Sequence, residues 1–180
     1  NIQFESSLIK DRNWNAEWEK NFDPVTIADT VFIRAPFHSP SQFKYDILIE
    51  PKMSFGTGHH DTTASVMELM LDLDFKGKQV FDYGCGTAIL SVLASKLGAA
   101  SVFCNDIDDW IEDNVAENLA LNQVSNVHYE MGDISLVKGK QFDIILANIN
   151  RNVLLESFGS MDQALKPGGV VIMSGFYKED

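Results

Sequence analysis

The feature that most constrains this chain is an alternation that runs from Gln79 to Ser174. Short apolar runs at 79–83, 101–106, 126–130, 142–148 and 170–174 alternate with longer amphipathic stretches. The short runs are rich in Val, Ile and Phe and are bounded by Gly, Asn, Asp or Ser, so they read as strands. Residues 89–97, 109–122 and 152–165 read as helices. In the second of these, Ile111, Val115, Leu119 and Asn122 recur on one side. The third is stopped by Pro167-Gly168-Gly169. Strands that are apolar on both faces must be covered on both, and strand–helix–strand crossovers give parallel pairs. The pattern therefore predicts an α/β fold with a doubly wound, mostly parallel sheet.

The N-terminal part follows other rules. Residues 1 to about 28 are mixed, with Trp14 and Trp18 four apart and so on one face of a short helix. Two strand-like runs follow, at 31–34 and 45–50, separated by a Pro/Ser-rich turn at 36–41. From Thr62 the period becomes helical, with Ala64, Met67, Met70 and Leu73 on it. The expected division is an N-terminal linker helix and strand pair over 1–50 and a core over 51–180.

Composition narrows the class. The 180 residues are 45% hydrophobic, the size and content of one domain. A net charge of -12 argues against an electrostatic nucleic-acid binder and favours a basic partner. Two cysteines, Cys85 and Cys104, make no disulfide framework, so a reducing cytoplasm is expected. No apolar run reaches transmembrane length and the N-terminus lacks a signal pattern, so no membrane association is expected. Nothing in the sequence marks an oligomeric state.

Five motifs carry chemistry. Asp82-Tyr83-Gly84-Cys85-Gly86-Thr87-Ala88 follows the first core strand, where glycines let the backbone turn sharply and approach a ligand. Asp106 ends the second core strand, 22 residues after Gly84, where an acid can accept hydrogen bonds from both hydroxyls of a ribose. A helix cap is the alternative for Asp106. The same spacing occurs in NAD enzymes, but the run here is Gly-x-Gly-x-Ala and no hydride-transfer constellation follows it. Asp133, after the third core strand, either contacts an adenine amino group or is a solvated loop residue. Asn148 ends the fourth core strand, where a reacting group would sit. The fifth motif is the dense run Phe55-Gly56-Thr57-Gly58-His59-His60-Asp61-Thr62-Thr63. Its histidines are adjacent rather than four apart, so no helical metal site is expected there.

Together with Leu165-Lys166-Pro167-Gly168-Gly169, these motifs resemble the bacterial ribosomal protein L11 methyltransferase family, in order and without large gaps from about Asn13 to Ser174. The Phe-Gly-Thr-Gly-x-His loop is the most specific part of the resemblance. The resemblance implies a class I S-adenosylmethionine-dependent enzyme that methylates lysine and N-terminal amino groups of a basic ribosomal protein. It also implies that Thr63, Gly84, Asp106 and Asn148 hold the cofactor, to which the motif reading adds Gly86 and Asp133. Asn148 would orient the acceptor amine, and His59 or His60 would carry its proton away. The Asn/Asp-Pro-Pro-aromatic run of enzymes that methylate nucleobases or glutamine is missing after Ala147.

The chain departs from the family's usual pattern at Asp61, where Pro or Glu is usual, and at Thr87-Ala88, where Ser-Gly is usual. Ala88 is still small, so cofactor binding is expected to survive. Members carry an N-terminal substrate-capture domain and further strands after Ser174-Gly175. The 180 residues are therefore expected to be a fragment, truncated at the C-terminal strands. The rival readings are a methyltransferase for RNA or a small molecule, a non-catalytic cofactor-binding or interaction module, and an NAD-dependent oxidoreductase.

Overall fold

The computed structural model describes residues 22–50, 52 and 56–177. The helix expected around Trp14 and Trp18 lies outside them. Among the described residues, eight strands form two sheets. β1 (Val25–Ile27), β2 (Val31–Arg34) and β3 (Tyr45–Leu48) make the smaller one. β4 (Gln79–Tyr83), β5 (Ser101–Asp106), β6 (Val127–Met131), β7 (Phe142–Asn148) and β8 (Leu165–Ser174) make the larger, in the order β6-β5-β4-β7-β8. Every pairing in the larger sheet is parallel, as the alternation predicts. The chain winds outward from β4 to β6, then crosses back and winds the other way through β7 and β8. The order reverses between β4 and β7, and a crevice opens outside the carboxyl ends of strands at such a point.

The two faces of the sheet are separated by strand periodicity. Val80, Val102, Ile144 and Ile172 point to one side. There they pack against α1 (Asp61–Leu71) and α2 (Ile89–Lys96). The small sheet lies outside those helices and adds Ile27, Ile33, Ile47 and Ile49 to the same core. α3 (Glu112–Leu121) joins this side through Val115, against Cys85 and Cys104. Phe81, Tyr83, Phe103, Phe142 and Ile145 point to the other side and meet Leu154, Met161 and Ala164 of α4 (Arg151–Ala164). On that side Phe81 stacks on Phe103 and Phe142, with ring centroids 5.9 and 5.2 Å apart. Each such buried side chain contributes about 1.5–3 kcal/mol.

Five local expectations are corrected. Residues 25–27, within the stretch read as mixed, form β1, antiparallel to β2. β2 and β3 are parallel neighbours, so the Pro/Ser-rich segment is a crossover rather than a tight turn. The buried Arg34 holds that crossover, with Nε donating to Asp46 at 2.8 Å and Nη1 to the His38 carbonyl at 3.0 Å. The helix expected from Asp109 opens with a 3-10 turn, Asp109–Ile111. α4 begins one residue early because the Asn150 side chain caps it, accepting from the Val153 N–H at 3.1 Å. β8 begins at Leu165, five residues before the expected start. Between the pairs Phe142–Leu165 and Ile144–Val170, residues 166–169 bulge out, and Lys166 Nζ is tied to Asp143 Oδ2 at 2.9 Å. A Pro-Gly-Gly run cannot keep the ladder regular, so the strand was visible in sequence only beyond it.

A candidate ligand crevice at the switch point

A crevice of about 530 Å³ lies at the carboxyl ends of β4, β5 and β7. It is within the 300–1,000 Å³ usual for small-molecule sites. Gly84, Gly86, Asp106 and Asn148 all line it, with Thr62, Tyr83, Ile149 and Gly175. Four loops and a helix start thus bring together residues that lie as far apart as 62 and 175 in sequence.

The glycine loop is shaped by its backbone. Gly84 and Gly86 take φ of +69° and +52°, conformations natural to glycine. The N–H groups of Gly84 and Cys85 both donate to the Asn105 carbonyl at 3.0 Å. A Cβ on Gly84 would lie 2.3 Å from Ile149 Cγ2, so the loop passes directly beneath that side chain. Ala88 also takes a left-handed φ, +62°, where a glycine would be free of strain.

Asp106 serves the loop as well as facing the crevice. Its Oδ2 accepts from the Gly86 N–H at 3.0 Å and its Oδ1 from the Asp108 N–H at 3.2 Å. Each carboxylate oxygen keeps a further lone pair. Asp82, two residues before Gly84, is its opposite. It is buried, Oδ2 accepts from Ser91 Oγ at 2.6 Å, and Oδ1 has no partner. Burial pushes its carboxyl up to about 7; the Ser91 hydrogen bonds oppose this and the nearby Asp106 charge adds to it.

Asn148 is held by side chains from two other elements. Its Nδ2 donates to Thr63 Oγ1 at 3.0 Å, and its Oδ1 accepts from Ser174 Oγ. Thr63 is fully buried, so it stands behind the crevice wall and touches the site through Asn148. The threonine that lines the crevice is Thr62.

Three other sequence-predicted residues lie elsewhere. Asp133 is exposed and caps the 3-10 turn Ile134–Val137, accepting from the Ser135 N–H at 2.9 Å. Hydrogen bonds from the Ser135 side chain and N–H hold its carboxyl below the usual carboxylate range. As the first residue of this turn it stands outside the crevice lining. His59 Nε2 pairs with the Asp23 carbonyl at 2.9 Å and its Nδ1 with Thr57 Oγ1 at 3.1 Å. Its ring meets Phe22 edge-on at 4.7 Å. His60 is exposed at the N-cap position of α1. Neither histidine lines the crevice, because the Gly56–Gly58 loop carries them toward the segment before β1.

Sequence reasoning missed Tyr83, Ile149 and Gly175 as crevice residues. Tyr83 sends its hydroxyl back to Ser157 Oγ on α4 at 2.9 Å. Gly175 has a sequence signal, a glycine just after a strand. A Cβ there would lie 2.0 Å from the Ile149 carbonyl oxygen, so β8 leaves the sheet in contact with the Asn148–Asn150 backbone.

Comparison with known proteins agrees with this geometry. The model of the ribosomal protein L11 methyltransferase family matches residues 1–180. Ribosomal protein L11 methyltransferases of Phocaeicola vulgatus and Porphyromonas gingivalis are each 48% identical over 99% of this chain. The chain spans 65% and 62% of the length of those two relatives. The crystal structure of a ribosomal protein L11 methylase from Lactobacillus delbrueckii subsp. bulgaricus superposes with a TM-score of 0.77 at 29% identity, covering 86% of this chain and 80% of that one. This chain belongs to the ribosomal protein L11 methyltransferase family.

Proposed function

We propose that this chain is the cofactor-binding, methyl-transferring part of an S-adenosylmethionine-dependent protein N-methyltransferase that acts on amino groups of a ribosomal protein. The observation that carries the reading is the convergence of Gly84, Gly86, Asp106 and Asn148 on one crevice at the reversal of strand order. The site suits a nucleoside-bearing sulfonium. Asp106 retains lone pairs for two ribose hydroxyls, and Gly84 has no side chain to block close passage.

When bound, S-adenosylmethionine supplies a methyl group activated on a cationic sulfur, which an amine nitrogen displaces in line. The residues of the chain hold the reactants in that line, which supplies much of the rate. Asp106 holds the ribose. Asn148 Oδ1, with one lone pair taken by Ser174, offers the other to an N–H of the acceptor amine and so aims the nitrogen lone pair. Thr63 acts from behind by fixing the Asn148 carboxamide. A lysine amine, with a reference pKa of about 10.4, must first lose its proton. Burial beside a positive charge lowers that pKa, so no strong protein base is needed. His59 is committed to Asp23 and Thr57 and neither histidine lines the crevice, so the proton leaves to solvent. Asp106, Asp108, Asp109, Glu112 and Asp113 crowd the crevice mouth and the helix start beside it, and this negative rim suits a basic protein substrate.

Calorimetric titration with S-adenosylhomocysteine and with NAD tests the cofactor. Heat with the first and none with the second is expected, and the reverse would sink the reading. Radiolabelled methyl transfer to a ribosomal protein, to RNA and to small amines then tests the acceptor. Label appearing only on RNA or on small amines would replace the protein substrate.

A further inference from the structure

α3 and its C-cap carry three asparagines at successive helical turns, Asn114, Asn118 and Asn122, all buried. Three buried amides in a row are costly unless each is paired. Here they stand where a neighbouring strand would stand. Asn122 accepts from the Leu48 N–H at 3.0 Å and donates to the Leu48 carbonyl. Asn118 accepts from the Glu50 N–H at 2.8 Å, and Asn114 donates to the Glu50 carbonyl at 3.2 Å. Residues 48 and 50 alternate along one edge of β3 and its continuation, so a helix face of carboxamides completes that edge.

Asn118 does one thing its neighbours in the ladder do not. Its Nδ2 donates to the Thr87 carbonyl at 3.0 Å. Thr87 lies in the glycine loop, fully buried, and its hydroxyl in turn donates to the Gly56 carbonyl. One side chain therefore ties the end of β3 to the loop that carries Gly84 and Gly86 and, through Thr87, to the loop that leads into Thr62 and Thr63. The 87–88 peptide it grips precedes Ala88, whose left-handed backbone is unfavourable for a side chain other than glycine.

We propose that Asn118 is a positioning residue for the cofactor: it holds Thr87 so that the Gly84–Gly86 backbone keeps its ligand-ready shape. This rests on the function proposed above. Asn118→Ala and Asn122→Ala separate the two roles of the ladder, since both remove a hydrogen-bonded carboxamide from β3 but only the first releases the glycine loop. Titrated with S-adenosylhomocysteine, Asn118→Ala is expected to raise Kd about tenfold, the equivalent of about 1.4 kcal/mol, and Asn122→Ala to leave it within about twofold. Amide hydrogen exchange at 84–88 is expected to quicken in the first variant alone. If Asn118→Ala fails to fold, Asn118→Leu keeps the volume while losing the donor to Thr87, and the same tenfold loss is expected. Equal Kd shifts in the two alanine variants, or an unchanged Kd at position 118, would overturn the positioning role. No binding by the unsubstituted chain would instead overturn the cofactor reading.

Discussion

The two walls of the crevice are built in opposite ways. The wall formed by β4 and β5 is made of backbone: positive-φ glycines, N–H groups paired with the Asn105 carbonyl, and an Asp106 carboxylate that accepts from two main-chain N–H groups. The wall formed by β7 is made of side chains, with Asn148 strung between Thr63 and Ser174. A backbone wall reads a ligand by shape, through the path its peptides take. A side-chain wall reads it by the orientation of one carboxamide and depends on residues that never touch the ligand.

The contrast can be broken first at the glycines. Gly175 has φ of +90° and a Cβ there meets the backbone at Ile149, whereas a Cβ at Gly84 meets only the Ile149 side chain. A side chain can turn away and a peptide cannot. Gly175→Ala is therefore expected to cost about 5 kcal/mol and Gly84→Ala about half of that, measured by urea unfolding. A milder effect at Gly175 than at Gly84 would show that the backbone crossing does not fix the wall.

A second test concerns the carboxyl behind the backbone wall. Folded, Asp82 keeps its proton up to about pH 7; unfolded, it releases it near ~3.9. The folded chain thus binds an extra proton between those values, so this group's contribution to stability falls as pH rises from about 4 to about 7 and is flat above. The span is on the order of 4 kcal/mol. Asp82→Asn keeps an acceptor for Ser91 Oγ, and its stability across pH 5 to 8 should lose that decline. An unaltered decline would mean that other groups produce it.

Third, the two walls should fail differently in function. Asp106→Ala is expected to raise the Kd for S-adenosylhomocysteine about 100-fold, because charge-assisted hydrogen bonds are lost from ligand and loop alike. Asn148→Ala should leave that Kd within about tenfold and lower methyl transfer about 100-fold. Intact turnover by Asn148→Ala would remove its orienting role. The smallest effect is expected at Ala88, where Ala88→Gly should stabilise the chain by about 1 kcal/mol, since relief of left-handed strain outweighs the added entropy of the unfolded glycine. A thermal melt that shifts downward would contradict it.

Much of the crevice was legible because its residues sit at strand ends, and strand ends are marked by composition. Gly84, Gly86, Asp106 and Asn148 each follow an apolar run, and the structure brings all four to the crevice. Thr63 was legible as part of the loop motif but not as a residue behind the wall, since its burial depends on Asn148 arriving from 85 positions away. Asp133 and the two histidines have residue types that suit chemistry equally well. A hydrogen bond with Ser135 for Asp133, and bonds with Asp23 and Thr57 for His59, hold those two outside the crevice lining.

The sequence alone determined the parallel sheet, because the spacing of apolar residues is a local property that each strand and helix carries by itself. It also determined which strand ends bear ligand-competent groups. The tertiary structure decided what each of those groups is paired with. Hydrogen-bond partners such as Thr63, Ser174 and the α3 asparagines come from distant parts of the chain, and no local pattern encodes which of two nearby donors an oxygen will meet.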